Sequence, residues 1–329
     1  MAKCTFVTYS DLPDLDPDDR LVFDILKNRG IDCQSAIWDD PNVDWSKAGV
    51  TVLRTTWDYH KKYQQFLDWV DRVSKVTTLC NRPEYIRWNA CKIYLRDLSE
   101  AGIAIVPTDW IMRDEKVDVK KRLIEILKEN NGKVVLKPSV GLATSGVLVV
   151  DRDNFDAGVD HAKKLLKEYD LMVQPFMSSV ETKGEKALVF INGRFCHAAQ
   201  KAAFQTLAVA GQAGEKPIDV TMDEVELAEN TMSIVSEIVR KHENRSTGIE
   251  DDTFLPPPLY ARVDIVRDQT NRPVVIELEL VEPSLFMDFY PLDADLFADS
   301  IEFIIKRMER LAQARVIEVE IPVENKTDS

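Results

Sequence analysis

The stretch VVIELELVEPS, Val274 to Ser284, decides how this chain is read. Its apolar residues describe a buried strand, yet Glu277, Glu279 and Glu282 interrupt them. Glu277 and Glu279 are two residues apart, so an extended chain projects both from one face. Ionised carboxylates on a buried strand are costly unless cations meet them. The upstream run YARVDIVRDQTNRP supplies a partner strand. A turn centred between Thr270 and Asn271 sets Asp264 opposite Glu277 and Arg262 opposite Glu279. Directly opposed residues carry Cβ atoms roughly 5 Å apart, so these acids and the arginine converge. Their surplus negative charge suits a hard divalent cation such as Mg2+, bound by oxygen ligands. The competing reading is a solvated outer sheet face, on which alternating charge is ordinary. Glu282, beside Pro283 at the strand end, reads as exposed.

A chain of 329 residues exceeds one typical domain, so two or three lobes are expected. Charged residues at 30% and hydrophobic residues at 45% fit a globular protein. The net charge of −14 disfavours nucleic acid as a partner, because such binding uses Lys and Arg to displace counterions. Any anionic ligand must then be held by local cations or metal ions. No apolar run approaches the roughly 18 residues that suggest a membrane span. The start, MAKCTFVTYSDLPDLDPDD, turns acidic without an apolar leader. The scattered Cys4, Cys33, Cys80, Cys91 and Cys196 form no CxxC pair. Together these features predict a cytoplasmic protein with reduced thiols and no zinc site.

Strand and helix signals alternate through the first hundred or so residues, from KCTFVTY and PDDRLVFDILKNRG to TTLCN. The run EYIRWNACKIYLRDLSEAG predicts one helix ending at Gly102. Such alternation argues for a parallel α/β sheet with ligands beyond the carboxyl ends of its strands. A second unit follows IAIVPTDWI, with strands KVVLK, GVLVV and LMVQPF and a helix around Ala162–Tyr169. A third opens at EKALVFINGRFCHAA, where Asn192-Gly193 marks a hairpin. It continues through a helix over Asp223–Lys241, an exposed loop HENRSTGIEDDTFLPPP, the acidic hairpin and a helix over Asp293–Ala312.

Neither a P-loop nor a dinucleotide fingerprint is present. Instead VVLKPSVGLATSGVLVV places Lys137 at a strand end before the small-residue loop Ser139–Gly146. Such a loop brings backbone N–H groups close to phosphate oxygens, although small-residue hairpin loops are common without a ligand. Lys92 alone is an ordinary helix lysine. LMVQPF offers backbone groups near Gln174 and Phe176 to an adenine base, or is a plain strand exit. Arg54 ends the strand VTVLR and either clamps a substrate carboxylate or pairs with Asp58. Trp57 and Tyr59 read as packing residues. His197 is either packed or an acid–base group.

Taken in order, VLKPSVGLATSGVLVV, LMVQPF, GEKALVFINGRFCHAAQK and ARVDIV…VVIELELVEPSLF, with Lys92 before them, resemble the ATP-grasp superfamily of carboxylate–amine ligases. RTTWDY, IRWNACKIYL and GIAIVPT look closest to its branch of O-ureido-serine cyclo-ligases of cycloserine biosynthesis. The resemblance implies an α/β ATP-grasp fold behind a Rossmann-like pre-ATP-grasp domain. The expected units are residues 1–102, a central lobe 103–175, a C-terminal lobe 176–325 and a tail 326–329. It implies that Lys92 and Lys137 contact ATP phosphates under the loop containing Ser139, Gly141, Ser145 and Gly146. Gln174 and Phe176 would lie at the adenine hinge, and Arg262 would steady the transferring phosphoryl group. Asp264, Glu277 and Glu279 would bind two Mg2+ ions, with Mn2+ an acceptable substitute. Glu279 stands where many members have Asn. Glu185 and Lys201 are substrate-side candidates beside Arg54. The implied reaction activates a carboxylate as an acyl phosphate and couples it to an amine, both from small, amino-acid-like substrates. An ATP-binding regulatory protein and a small-molecule kinase are the rival readings, and a homo-oligomer is open.

Overall fold

The computed structural model describes residues 3–142, 144–201, 214–248 and 254–320. The predicted tail and part of the predicted loop before Phe254 lie outside them. Alternation opens the chain as predicted: β1 (Lys3–Thr8), α1 (Pro17–Asn28), β2 (Asp32–Ile37), β3 (Val50–Thr55), α2 (Tyr63–Val73) and β4 (Thr78–Cys80). The strands run parallel in the order β2-β1-β3-β4. Asp16 caps α1 by accepting the Asp18 N–H, and Pro17 occupies its first turn.

The helix predicted up to Gly102 is broken. It forms α3 (Pro83–Asn89) and α4 (Tyr94–Glu100), with Lys92 in the interruption. The break has a tertiary cause. The Lys92 N–H bonds the Ser139 carbonyl at 2.7 Å instead of a helical neighbour, so the backbone is pinned to the central lobe.

That lobe is an antiparallel sheet of order β5-β8-β6-β7. Its strands are β5 (Asp109–Ile111), β6 (Val134–Pro138), β7 (Leu148–Val150) and β8 (Leu171–Pro175). Helices α5 (Val119–Glu129) and α6 (Phe155–Leu165) bury Leu123, Ile126, Val159 and Ala162 against Val134, Leu136 and Val173. The observed α6 begins well before the predicted Ala162, because Phe155 and Val159 extend its apolar face.

The third sheet has order β11-β10-β9-β12-β13 and is antiparallel. After α7 (Ser178–Lys183) come β9 (Glu185–Ile191) and β10 (Arg194–Lys201). They are joined at Asn192 and Gly193, whose φ of 51° and 73° gives the primed turn that the dipeptide predicts. β11 (Lys216–Pro217) and α8 (Met222–Thr247) precede β12 (Tyr260–Arg267) and β13 (Pro273–Glu279). Helix α8 carries a Thr221/Glu224 capping box and runs on through Thr247, into the predicted loop, before Gly248 ends it at φ 68°.

The last helix, α9 (Pro291–Glu320), is longer than predicted and returns to the first sheet. Its Ala294, Phe297, Ala298 and Ile301 are buried with Val22, Phe23 and Leu26 of α1. Among the described residues, no helix is long and apolar enough to cross a membrane.

Along its outer edge β13 meets backbone at Val275, which bonds Ala104 and Val106, and beyond that point side chains take a strand's place among the described residues. Asn89 donates to the Leu278 carbonyl at 2.8 Å and accepts the Leu280 N–H at 2.7 Å. The Tyr94 hydroxyl accepts the Leu278 N–H at 3.0 Å. These bonds hold the strand that carries Glu277 and Glu279. Replacing Asn89→Ala strands two buried backbone groups, each worth about 1–3 kcal/mol. Urea unfolding should show a loss of about 3 kcal/mol; an unchanged midpoint would mean that water replaces the amide at this edge.

Candidate active site

The acidic hairpin pairs as read from the sequence at the site: Arg262 faces Glu279 and Asp264 faces Glu277. The turn is not where that register put it. Pairing slips between Asp264 and Ile265, so that Ile265 faces Val275 and Val266 faces Val274. The hairpin therefore centres on Thr270, and a bulge at Ile276 restores the site's register.

Each hairpin acid meets a cation. Arg262 grips Asp264 with two bonds, Nε to Oδ1 at 2.8 Å and Nη2 to Oδ2 at 2.9 Å, and also donates to Glu279. Lys201, at the end of β10, reaches Asp264 at 2.8 Å and Glu185 at 2.9 Å. Lys92 pairs with Glu277. Oxygens of Asp264, Glu277 and Glu279 lie within 4.8 Å of one another, an all-carboxylate set that fits a hard divalent cation.

The electrostatics of these acids differ from one to the next. Burial alone would raise Asp264, but Arg262 and Lys201 outweigh it and hold its carboxyl down to about 2. Glu279 goes the other way. Burial, then the charges of Glu277 and Asp264, push it up to about 7 despite Arg262. Repulsion among the three hairpin acids thus remains at Glu279 after Arg262 is counted, and a divalent cation there would relieve it. Lys137 is drawn below the usual ammonium range by burial and by Lys92 and Lys201 nearby, against the pull of Glu185 and Glu277. A lysine held this way gains most from an arriving anion.

These groups share a cavity of about 420 Å3. Its walls include Lys92, Lys137, Gly141, Ser145, Glu185, Lys201, Arg262, Glu277 and Glu279, so the sequence candidates from four separate segments converge. Thr144, Trp57, Glu215, Ser284 and Phe286 also line it. Trp57 is thus a wall residue as well as a packing one, and donates its indole N–H to the Glu282 carbonyl at 3.1 Å. Glu282 also faces the cavity, and at 5% exposure it is buried, not the solvated strand end that its position suggested. Nothing in its local sequence marks it. The chain beyond β13 folds back under the first sheet, where Asp18 receives the N–H groups of Leu285, Met287 and Asp288.

Other candidates are not brought to this wall. Ser139 is buried, and its backbone is spent on Lys92 and Asp170. Gly146, at φ 75°, lies against Pro138 and gives its carbonyl to His161. Gln174 is buried, with its amide donating to Thr108 Oγ1 at 2.9 Å. Phe176 borders a separate groove of about 1040 Å3, with Lys133 Nζ 3.8 Å from its ring centre. His197 spends both ring nitrogens on Asp293 and the Leu285 carbonyl. It is a packed residue.

Arg54 fits neither reading offered by the sequence. It is 1% exposed, with Nε 2.5 Å from Asp19 Oδ1 and Nη2 donating to the Pro283 carbonyl at 2.7 Å. Its guanidinium lies 4.7 Å from the Tyr260 ring centre. Asp58 instead accepts from Trp38 and pairs with Lys62. Arg54 is a bolt between α1, β12 and the segment after β13.

A parallel domain, two antiparallel lobes and a carboxylate–lysine–arginine cavity define an ATP-grasp fold. Residues 103–243 match the family described as prokaryotic glutathione synthetase, ATP-grasp domain, and residues 4–81 match D-cycloserine synthetase DcsG, N-terminal domain. The cycloserine biosynthesis protein DcsG of Streptomyces lavendulae is 27% identical over 292 residues, covering 87% of this chain and 93% of that protein. The crystal structure of D-cycloserine synthetase DcsG superposes with a TM-score of 0.79 at 26% identity, covering 92% of this chain and 99% of that one. D-alanine–D-alanine ligase from Bacillus anthracis, at 12% identity and a TM-score of 0.58, covers 96% of this chain and 100% of its own and shares the fold. The protein is an ATP-dependent carboxylate–amine ligase.

Replacing Arg54→Met leaves Asp19 buried without its partner. The unfolding free energy should fall by about 3–5 kcal/mol, measured by urea titration without any ligand. Unchanged stability would show that the bolt carries no load.

Proposed function

We propose that the cavity around Glu277 activates the carboxylate of a small, amino-acid-like substrate and joins it to an amine. The observation that carries this reading is the pairing of every hairpin acid with a cation inside one cavity. At about 420 Å3 the space is at the small end of ligand cavities, which favours an amino acid over a peptide. A cytoplasmic location suits the use of ATP.

Asp264, Glu277 and Glu279 would hold Mg2+, as a pair of ions, with Mn2+ as a substitute. The metal would supply neutralisation of phosphate charge. Lys92, Lys201 and Arg262, now held by those acids, are the groups that can turn to phosphate oxygens. Lys137, Gly141 and Ser145 line the side where the polyphosphate enters.

A carboxylate oxygen attacks the γ-phosphorus, and the bond to the bridging oxygen breaks, releasing ADP. Arg262 offsets the charge that develops on the moving phosphoryl group. The amine nitrogen then attacks the acyl carbon, the carbon–oxygen bond to phosphate breaks, and the amine proton passes to solvent. No protein nucleophile is required.

Two measurements test this. Changing Glu277→Gln keeps the shape and removes one charge. The Mg2+ concentration needed for half-maximal ADP release should rise by about 100-fold, since even outer partners of a metal are worth 10–100-fold. An unchanged Mg2+ titration would remove the hairpin acids from the metal site. Separately, a substrate labelled with heavy oxygen in its carboxylate should pass one labelled oxygen to inorganic phosphate, read by mass spectrometry. Unlabelled phosphate, AMP with pyrophosphate, or a stable phosphorylated alcohol would each defeat the acyl phosphate.

A further inference from the structure

Glu282 stands apart in the charge pairing of the cavity: Glu215 also borders it unpaired among the described residues but is exposed to solvent, whereas Glu282 is not. Asp264 is taken by Arg262 and Lys201, Glu277 by Lys92, Glu279 by Arg262, and Glu185 by Lys201. Glu282 is 5% exposed, and its carboxylate makes no hydrogen bond or ion pair with any described residue. Its carbonyl is fixed by the Trp57 indole, so the residue is held even though its side chain is not. The side chain borders two spaces: the main cavity, and an annex of about 30 Å3 shared with Tyr59, Lys92, Glu277 and Glu279. That annex is the size of one water or one ammonium group.

A buried carboxylate without a partner is unstable as a resting arrangement. Burial, followed by the charge of Glu279, raises Glu282 well above the ordinary carboxylate range, and Lys92 only partly opposes this. No cation of the protein pairs with it among the described residues. Lys92, Lys201 and Arg262 already hold other acids, and in the proposed reaction they turn to phosphate. Lys137 faces the same cavity from the phosphate side and carries positive charge that an arriving polyphosphate would claim. The partner that fits Glu282 must therefore arrive with the substrate, be cationic and be small.

We propose that Glu282 recognises the ammonium group of a zwitterionic amino-acid substrate, holding its non-reacting nitrogen while its carboxylate lies toward Arg262. Trp57 and Phe286 supply the apolar walls beside it, and Ser284, whose carbonyl is fixed by Arg262 at 3.1 Å, supplies polar backbone. The assignment deepens the ligase reading and rests on it. It makes Glu282 a specificity residue, selecting α-amino acids over the corresponding simple carboxylic acids.

The 329-residue chain tests this with two matched pools, Mg2+, ATP and hydroxylamine as the nucleophile. One pool contains D- and L-alanine, serine and 2,3-diaminopropionate; the other contains propionate, 3-hydroxypropionate and 3-aminopropionate, the same acids without the α-ammonium. ADP and hydroxamate formation report carboxylate activation. The wild type should respond to the α-amino pool at least 30-fold more strongly, the scale of a charge-assisted hydrogen bond. The variant Glu282→Gln should lose that preference by about the same factor, with ATP affinity by calorimetry and thermal stability held near wild type. Equal response to both pools, or a variant that keeps the preference, overturns the ammonium site while leaving the ligase intact. Response to neither pool overturns the amino-acid assignment and, with it, the reading on which this one rests. A variant that fails to fold leaves the wild-type comparison of pools to decide.

Discussion

Asp264 has no solvent exposure in the middle of a five-stranded sheet, and it is ionised. A bare carboxylate there would be too costly to keep. Two bonds from Arg262 and one from Lys201 make it tolerable, and those bonds set the surrounding structure. Arg262 must lie on the same strand face, β10 must end where Lys201 can reach inward, and β9 must bridge the two. The chain after β13 is drawn in as well, because Arg262 donates to the Ser284 carbonyl. A charge problem in the core thus becomes the means of gathering β10, β12 and the segment beyond β13 around one cavity.

The same pairing gives the cavity a resting state. Lys92, Lys201 and Arg262 are not left bare to repel one another, and the hairpin acids Asp264, Glu277 and Glu279 are not left bare to destabilise the sheet. Each is held by the other until a ligand with more charge displaces the pairing. Lys137 is the exception among the lysines. It has no acid within bonding distance among the described residues, and its depressed ammonium shows what leaving a cation unpaired costs there.

The sequence made much of this legible because strand alternation and cross-strand register obey short-range rules. Glu277, Glu279, Asp264 and Arg262 could be placed from spacing and one turn, and the bulge at Ile276 compensated for a turn one half-residue away from its inferred centre. What could not be read depended on distant partners. Lys92 looks helical until the Ser139 carbonyl takes its N–H. Arg54 looks like a ligand clamp until α1 brings Asp19 beside it. Asn89 looks like a mid-helix residue, yet its amide bonds the outer edge of β13 at Leu278 and Leu280. Glu282 looks solvated because no local pattern reveals that the chain beyond Pro283 turns back beneath the first sheet. These four features all arise from contacts between segments apart in the chain.

Helix α9 has a consequence for how such a protein can be recombined. Its apolar face is buried against α1, so the first sheet is sealed by residues from the far end of the chain. The N-terminal unit is therefore discontinuous in sequence. A chimera that exchanges only residues 1–102 with a relative would join a foreign α1 to a resident α9, and mismatched helix faces would meet in the core. Exchanging the central lobe meets no such seam, because the strands and helices of its core come from one continuous run. Evolution of this chain is then freer to import a new nucleotide lobe than a new first domain, unless both ends change together.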